Sequence, residues 1–208
     1  MHKKRELFLP AACLLIFITL IFIYGCLQPF NSLVRDFVRA TLCMSFFDVA
    51  LFTHYLFETV LGTIQTIAWG AVIAFLYKDK KGAVLLVATV LAQSLTSEVT
   101  KALTRIPRPP QEFFGVFYHT YSYPSGHTAT SLTFAIMLTC ILCVRLKINY
   151  GRIISYLYFL LAVLTAYSRL FLDVHRITDI LGGWALAGFI TSLFLLYGRA
   201  FFKKAGTA

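Results

Sequence analysis

Between Ser168 and Asp179 the chain reads Ser-Arg-Leu-Phe-Leu-Asp-Val-His-Arg-Ile-Thr-Asp, a polar island between two strongly apolar segments. Such groups are costly in hydrocarbon and mark function by default. His175 and Asp179 are four residues apart. If that half is helical they share a face, so the carboxylate can accept from one ring nitrogen and leave the other free as a base or nucleophile. Two further groups of residues suit the same chemistry. Lys101, Arg108 and Arg169 are cations. Ser125-Gly126-His127 offers a hydroxyl, a second imidazole and the backbone N–H groups of Ser125 and Gly126 at a helix start. Together the three cations, Ser125 and those N–H groups make an anion cradle suited to phosphate. With one histidine as nucleophile and the other as acid, the set describes phosphoryl transfer through a phosphohistidine. The cations would neutralise charge on the equatorial oxygens, so the expectation includes no metal and no cofactor.

These residues can meet only if the elements carrying them converge. Over 208 residues, 59% are hydrophobic and 13% charged, and the mean hydropathy is +0.76. Soluble domains carry about 25% charged residues, so the fold class expected is an all-α polytopic membrane protein in a single domain over 1–208. The net charge of +10 sits mostly in short clusters between apolar runs, which argues for membrane topology and an anion site and against nucleic acid. The five cysteines supply no disulfide framework; Cys140 and Cys143 form a C-x-x-C inside an apolar segment and read as small helix residues, while Cys26 and Cys43 could face an oxidising compartment.

Six transmembrane helices are expected, at about 7–27, 56–77, 82–103, 125–144, 153–167 and 180–197. Residues 28–55 read as an external loop with an amphipathic piece in the interface, and 104–124 as a loop broken by Pro107, Pro109 and Pro110. With both termini cytoplasmic, twelve of the 19 Lys and Arg fall on inner segments, and five of the other seven, Lys101, Arg105, Arg108, Arg169 and Arg176, cluster near the polar island. The topology then places all three polar groups on the outer face.

Lys101, six residues, Arg108-Pro109; Pro124-Ser125-Gly126-His127; Ser168-Arg169, five residues, His175, three residues, Asp179: this pattern resembles the three-part signature of the type 2 phosphatidic acid phosphatase family. The resemblance implies His175 as the phosphate-accepting nucleophile, Asp179 as its orienting partner and His127 as general acid and later base. Lys101, Arg108, Ser125, Gly126 and Arg169 would bind phosphate. It also implies a metal-independent enzyme of the bacterial inner membrane, acting at the outer leaflet. Many members read Gly-Arg-x-Arg-Pro where this chain has Arg105-Ile106-Pro107-Arg108-Pro109, so the additional basic residue is displaced by one position.

The remaining polar residues near the site, His54, His119, Glu98, Glu112, Asp173 and Arg176, read as structural or rim groups, with Glu98 one turn before Lys101 as its ion-pair partner. Gln65 reads as an interhelical hydrogen bond. The function expected is hydrolysis of a lipid phosphate or diphosphate, such as phosphatidylglycerol phosphate, phosphatidic acid, undecaprenyl diphosphate or a lipid A phosphate. The chain of the lipid would enter sideways between helices, with the aromatic loop from Phe113 to Tyr123 as a gate. The partners are that lipid and the bilayer, with no obligate protein partner evident. A lipid-to-lipid phosphotransferase using the same site and a non-enzymatic transporter of anionic lipids are the alternatives.

Overall fold

The computed structural model describes residues 7–110 and 120–198. The basic residues at 1–6, the cluster Arg199, Lys203 and Lys204, and Glu112, His119 and most of the aromatic loop lie outside the described residues. Among the described residues the fold is all helical: α1 (Phe8–Phe22), α2 (Gln28–Ala40), α3 (Phe47–Leu56), α4 (Thr59–Ala71), α5 (Lys80–Thr104), α6 (Gly126–Leu138), α7 (Gly151–Phe171) and α8 (Ile177–Tyr197). Wider π turns, Val72–Leu76 and Thr139–Arg145, extend α4 and α6 to membrane-spanning length.

Five helical spans, Thr59–Leu76, Lys80–Thr104, Gly126–Val144, Gly151–Phe171 and Ile177–Tyr197, are long and apolar enough to cross a bilayer, and they match five of the six expected. The multi-pass membrane architecture follows from them. The remaining apolar helix, α1, has 15 described residues. In the segment 28–55, α2 is the amphipathic piece expected, and the correction is that the rest is not a loop: the helical stretch Met44–Leu56 follows α2 at a bend of 100°. Pro29 in the first turn of α2 starts that helix where its missing N–H is harmless. Apolar side chains such as Phe75, Val84, Leu103 and Ile153 are exposed on the outside of the bundle, where lipid tails would meet them.

Helix α6 is the hub, packed against α5, α7 and α8, while α1 lies along α8 and α3 along α7. Its C-terminal half and the π turn after it fill a buried core of Phe134, Met137, Leu138, Ile141 and Leu142 against Leu86 of α5 and Tyr158 of α7. Trp69 donates to the Tyr158 hydroxyl (2.7 Å) and that hydroxyl to Gln65 Oε1 (2.8 Å), the interhelical bond expected of Gln65. At the other end of the bundle the helices approach more closely. A Cβ on Gly183 would lie 2.7 Å from the Ser125 carbonyl oxygen, and one on Gly182 would lie 2.3 Å from the Tyr123 ring. Only glycine lets α8 touch the start of α6 there. Tyr123 is bolted in place, its hydroxyl donating to the Phe17 carbonyl (2.7 Å) and its ring stacked on Phe17.

Candidate active site

The start of α6, the ends of α5 and α7, and the turn before α8 meet at this close-packed end of the bundle, opposite Lys80 and the π turn Thr139–Arg145. The sequence-predicted residues arrive on four helices and the segments beside them. Lys101 is in the last turn of α5, Arg108 in the extended segment after it, Gly126 and His127 open α6, Arg169 is in the last turn of α7, and Asp179 is in the first turn of α8.

His175 is not on a helix. Helix α8 begins at Ile177, so the ring meets Asp179 across a turn, and the expectation that the two share a helical face is corrected. The cause lies in Arg176, whose extended backbone (φ −88°, ψ 161°) caps α8, while the Asp179 carboxylate accepts the Arg176 backbone N–H at 2.8 Å. The acidic residue that caps the helix therefore also faces the imidazole, with Nδ1 and Oδ2 3.3 Å apart.

The Asp179 carboxylate gathers several further contacts. Oδ2 also accepts from the Ser122 hydroxyl (2.5 Å), and Oδ1 accepts from the Tyr24 hydroxyl (2.9 Å). On the opposite edge of the His175 ring, Arg108 Nη1 is 3.0 Å from Nε2. A guanidinium can only donate, so Nε2 accepts and the ring proton is on Nδ1, facing Asp179. Arg108 is itself held by the Thr120 carbonyl (2.9 Å), the Val174 carbonyl (2.9 Å) and the Thr120 hydroxyl (3.0 Å). Burial, and then the positive charge of Arg108, push the His175 imidazole down to about 3, against the opposing pull of Asp179, so the ring is neutral at neutral pH.

A cavity of about 750 Å³ opens over this arrangement. His127 and His175 both line it, with Lys101, Arg108, Gly126 and Glu58 among the other lining residues. Gly126 faces the same cations: a Cβ there would stand 3.5 Å from Lys101 Nζ, an ordinary contact distance. Lys101 Nζ donates to Glu98 at 2.6 Å, the pairing expected from their spacing. Ser125, Arg169 and Asp179 stand behind the lining. The Ser125 backbone N–H donates to the Asp179 carbonyl (3.0 Å) and its hydroxyl pairs with that of Thr128 (2.9 Å), so Ser125 joins α6 to α8. Arg105 is the left-handed cap of α5 (φ 48°), away from the cavity lining. The described residues group no three His, Cys, Asp or Glu side chains as a metal site; the charged groups that could hold a ligand are the cations.

Three further residues complete the site: His54, expected only as a structural or rim group, and two that the sequence did not signal. His54, on α3, stacks on His127 with ring centroids 5.2 Å apart, and its Nδ1 lies 3.0 Å from Arg169 Nη1. A histidine inside an apolar helix was the available clue. Ser122 and Tyr24 carry no periodic or motif signal and are found only through Asp179. Asp173 and Arg176 do fit their expected structural role. Asp173 accepts from Arg35 (2.5 and 2.7 Å) and Arg39 (2.8 Å) of α2, and Arg176 donates to the Pro107 carbonyl (2.6 Å).

Against known proteins, the PAP2 superfamily model matches residues 82–203. The fold is similar to the crystal structure of a transmembrane PAP2 type phosphatidylglycerolphosphate phosphatase from Bacillus subtilis, with a TM-score of 0.80 and 21% identity over 93% of this chain and 97% of that one. Comparison with curated proteins gives no match.

Proposed function

The chain belongs to the PAP2 superfamily, and from that premise we propose that it is a membrane phosphatase that hydrolyses a lipid phosphate or diphosphate through a phosphohistidine. One observation carries the reading: two imidazoles from distant parts of the chain line one cavity beside Lys101 and Arg108, and the nitrogen of His175 that faces Arg108 bears no proton.

A phosphate entering the cavity takes over the Arg108 guanidinium, which frees Nε2 of His175. Lys101, Arg108 and the N–H groups at the start of α6 bind the phosphoryl oxygens, with Arg169 and Ser125 holding that frame from behind. Nε2 attacks phosphorus, the bond from phosphorus to the lipid oxygen breaks, and His127 gives that oxygen its proton. The Asp179 carboxylate stabilises the Nδ1–H as positive charge grows on the ring. In the second half His127 takes a proton from water, the water oxygen attacks phosphorus, and the P–N bond breaks to release phosphate and restore His175. Lipid ester plus water thus gives lipid alcohol plus phosphate.

Because the cations meet the charge on the phosphoryl oxygens, the reaction needs no divalent metal. The concentration of basic residues at the other end of the helices supports a site on the outer face of a bacterial inner membrane. The test is release of phosphate from a panel of lipid phosphates and diphosphates by the purified protein, with and without chelator. Turnover that survives chelator supports the reading; a strict metal requirement counts against it.

A further inference from the structure

The cavity continues past the phosphate end into the bilayer region between α4 and α5, and one face of α5 lines it throughout: Lys101, Ser97, Gln93, Val90 and Val87. At 1.5 Å per residue, Ser97 lies about 6 Å and Gln93 about 12 Å below Lys101, with Val90 and Val87 deeper still. The order along that wall is cation, neutral polar, apolar.

The neutral polar layer is unusual. Gln93 is fully buried and Ser97 is 1% exposed, yet Gln93 Nε2 and Ser97 Oγ have no protein partner. The carbonyl end of Gln93 is occupied, since Oε1 accepts from the Thr130 hydroxyl at 3.0 Å. Across the cavity the hydroxyls of Thr63 and Thr66 donate to carbonyls of their own helix, at 2.6 and 2.7 Å. What the layer presents is therefore the amide donor of Gln93 and the hydroxyls of Ser97 and Ser94. Buried donors without acceptors are costly and call for a ligand that supplies them.

Building on the phosphatase reading, we infer that Gln93 and Ser97 select a glycerolipid by donating to the oxygens of its ester-linked glycerol. In such a lipid the phosphate is followed by neutral ester carbonyls and then by hydrocarbon, the same order as the wall. A prenyl phosphate passes from phosphate directly to hydrocarbon and would leave both donors unpaired. A diphosphate whose second phosphate reached this depth would find no cation, because among the lining residues Lys101 and Arg108 are the cations and both are at the upper end. Gln93 is a specificity-determining residue, and Thr130 positions it.

The experiment compares diacylglycerol phosphate with its dialkyl ether analogue, equal in chain length and phosphate but without carbonyls, at equal surface concentration in mixed micelles. Wild-type protein is expected to favour the diacyl lipid in kcat/KM by about tenfold, the scale of one well-placed hydrogen bond. Gln93→Met is expected to lower turnover of the diacyl lipid by about tenfold and to leave the ether lipid and a prenyl phosphate within about twofold. The wild-type comparison stands even if the variant fails to fold. Equal wild-type rates on diacyl and ether lipids, or an equal loss on all substrates in Gln93→Met, overturn the inference and leave the phosphatase standing. Phosphate release from none of the lipids overturns both.

Discussion

Arg108 and Asp179 hold opposite edges of one imidazole and between them set its tautomer, while burial, with Arg108, keeps it uncharged. Replacing His175 or His127 with Ala is expected to lower phosphate release by at least about a thousandfold, the scale of losing a nucleophile or its proton donor. Asp179→Asn keeps the shape but removes the anion that faces Nδ1, with a loss of about 10²- to 10⁴-fold in kcat expected and little change in KM. For His54, expected from sequence only as a structural or rim group, His54→Phe retains the ring stacked on His127 and deletes the contact to Arg169; a fall of about tenfold in kcat measures that contact. The pH dependence follows from His175. An unfolded imidazole takes a proton near its ordinary 6.5, whereas the buried one resists until about 3. Its depressed value therefore costs the folded state nothing above about pH 6.5, and stability is lost progressively as pH falls from there toward 3. Arg108→Gln removes the largest of the charges that cause that depression, leaving burial and the weaker effect of Lys101. Urea or thermal melts should then show a smaller loss of stability on acidification, and the acid limb of kcat/KM should move upward.

At the scale of elements, the approach of α8 to α6 aligns the site. Gly183→Ala would push a methyl group into the Ser125 backbone, which also accepts no easy shift because its N–H is tied to the Asp179 carbonyl. Overpacking of about 1–3 kcal/mol is expected, read as a lower melting temperature with activity lost in parallel. Glycines that look like helix breakers in the linear chain are here a docking surface, and hydropathy alone cannot reveal it. Hydropathy did reveal the five long spans, because runs of about 20 apolar residues have few other uses. It failed at 28–55, where Arg35, Asp36 and Arg39 lower the average although both pieces are helical. There Arg35 and Arg39 reach the Asp173 carboxylate, so α2 braces the turn that carries His175. The register of His175 was also beyond a four-residue spacing rule, since the extended Arg176 ends the turn before the helix starts.

For the whole molecule, the described basic residues Lys78, Lys80, Lys81, Lys147 and Arg152 flank the helix ends opposite the polar site, and that separation gives the orientation a direct check. In sealed inverted and right-side-out vesicles, a single Cys in place of Lys80 should react with an impermeant thiol reagent from the cytoplasmic side, and one in place of Thr120 from the outside. The reverse labelling would move the active site inside. The signature residues were legible because phosphoryl transfer confines them to a few types at short local spacings. How they are tied together was not, because Tyr24, Ser122 and His54 reach the site from segments up to 155 positions away from Asp179. The most direct measurement of the central claim is rapid acid-free quenching of the protein during turnover of a lipid carrying labelled phosphate. The account predicts an alkali-stable, acid-labile label on His175, absent from His175→Ala. Label on any other residue, or full turnover by His175→Ala, would contradict it.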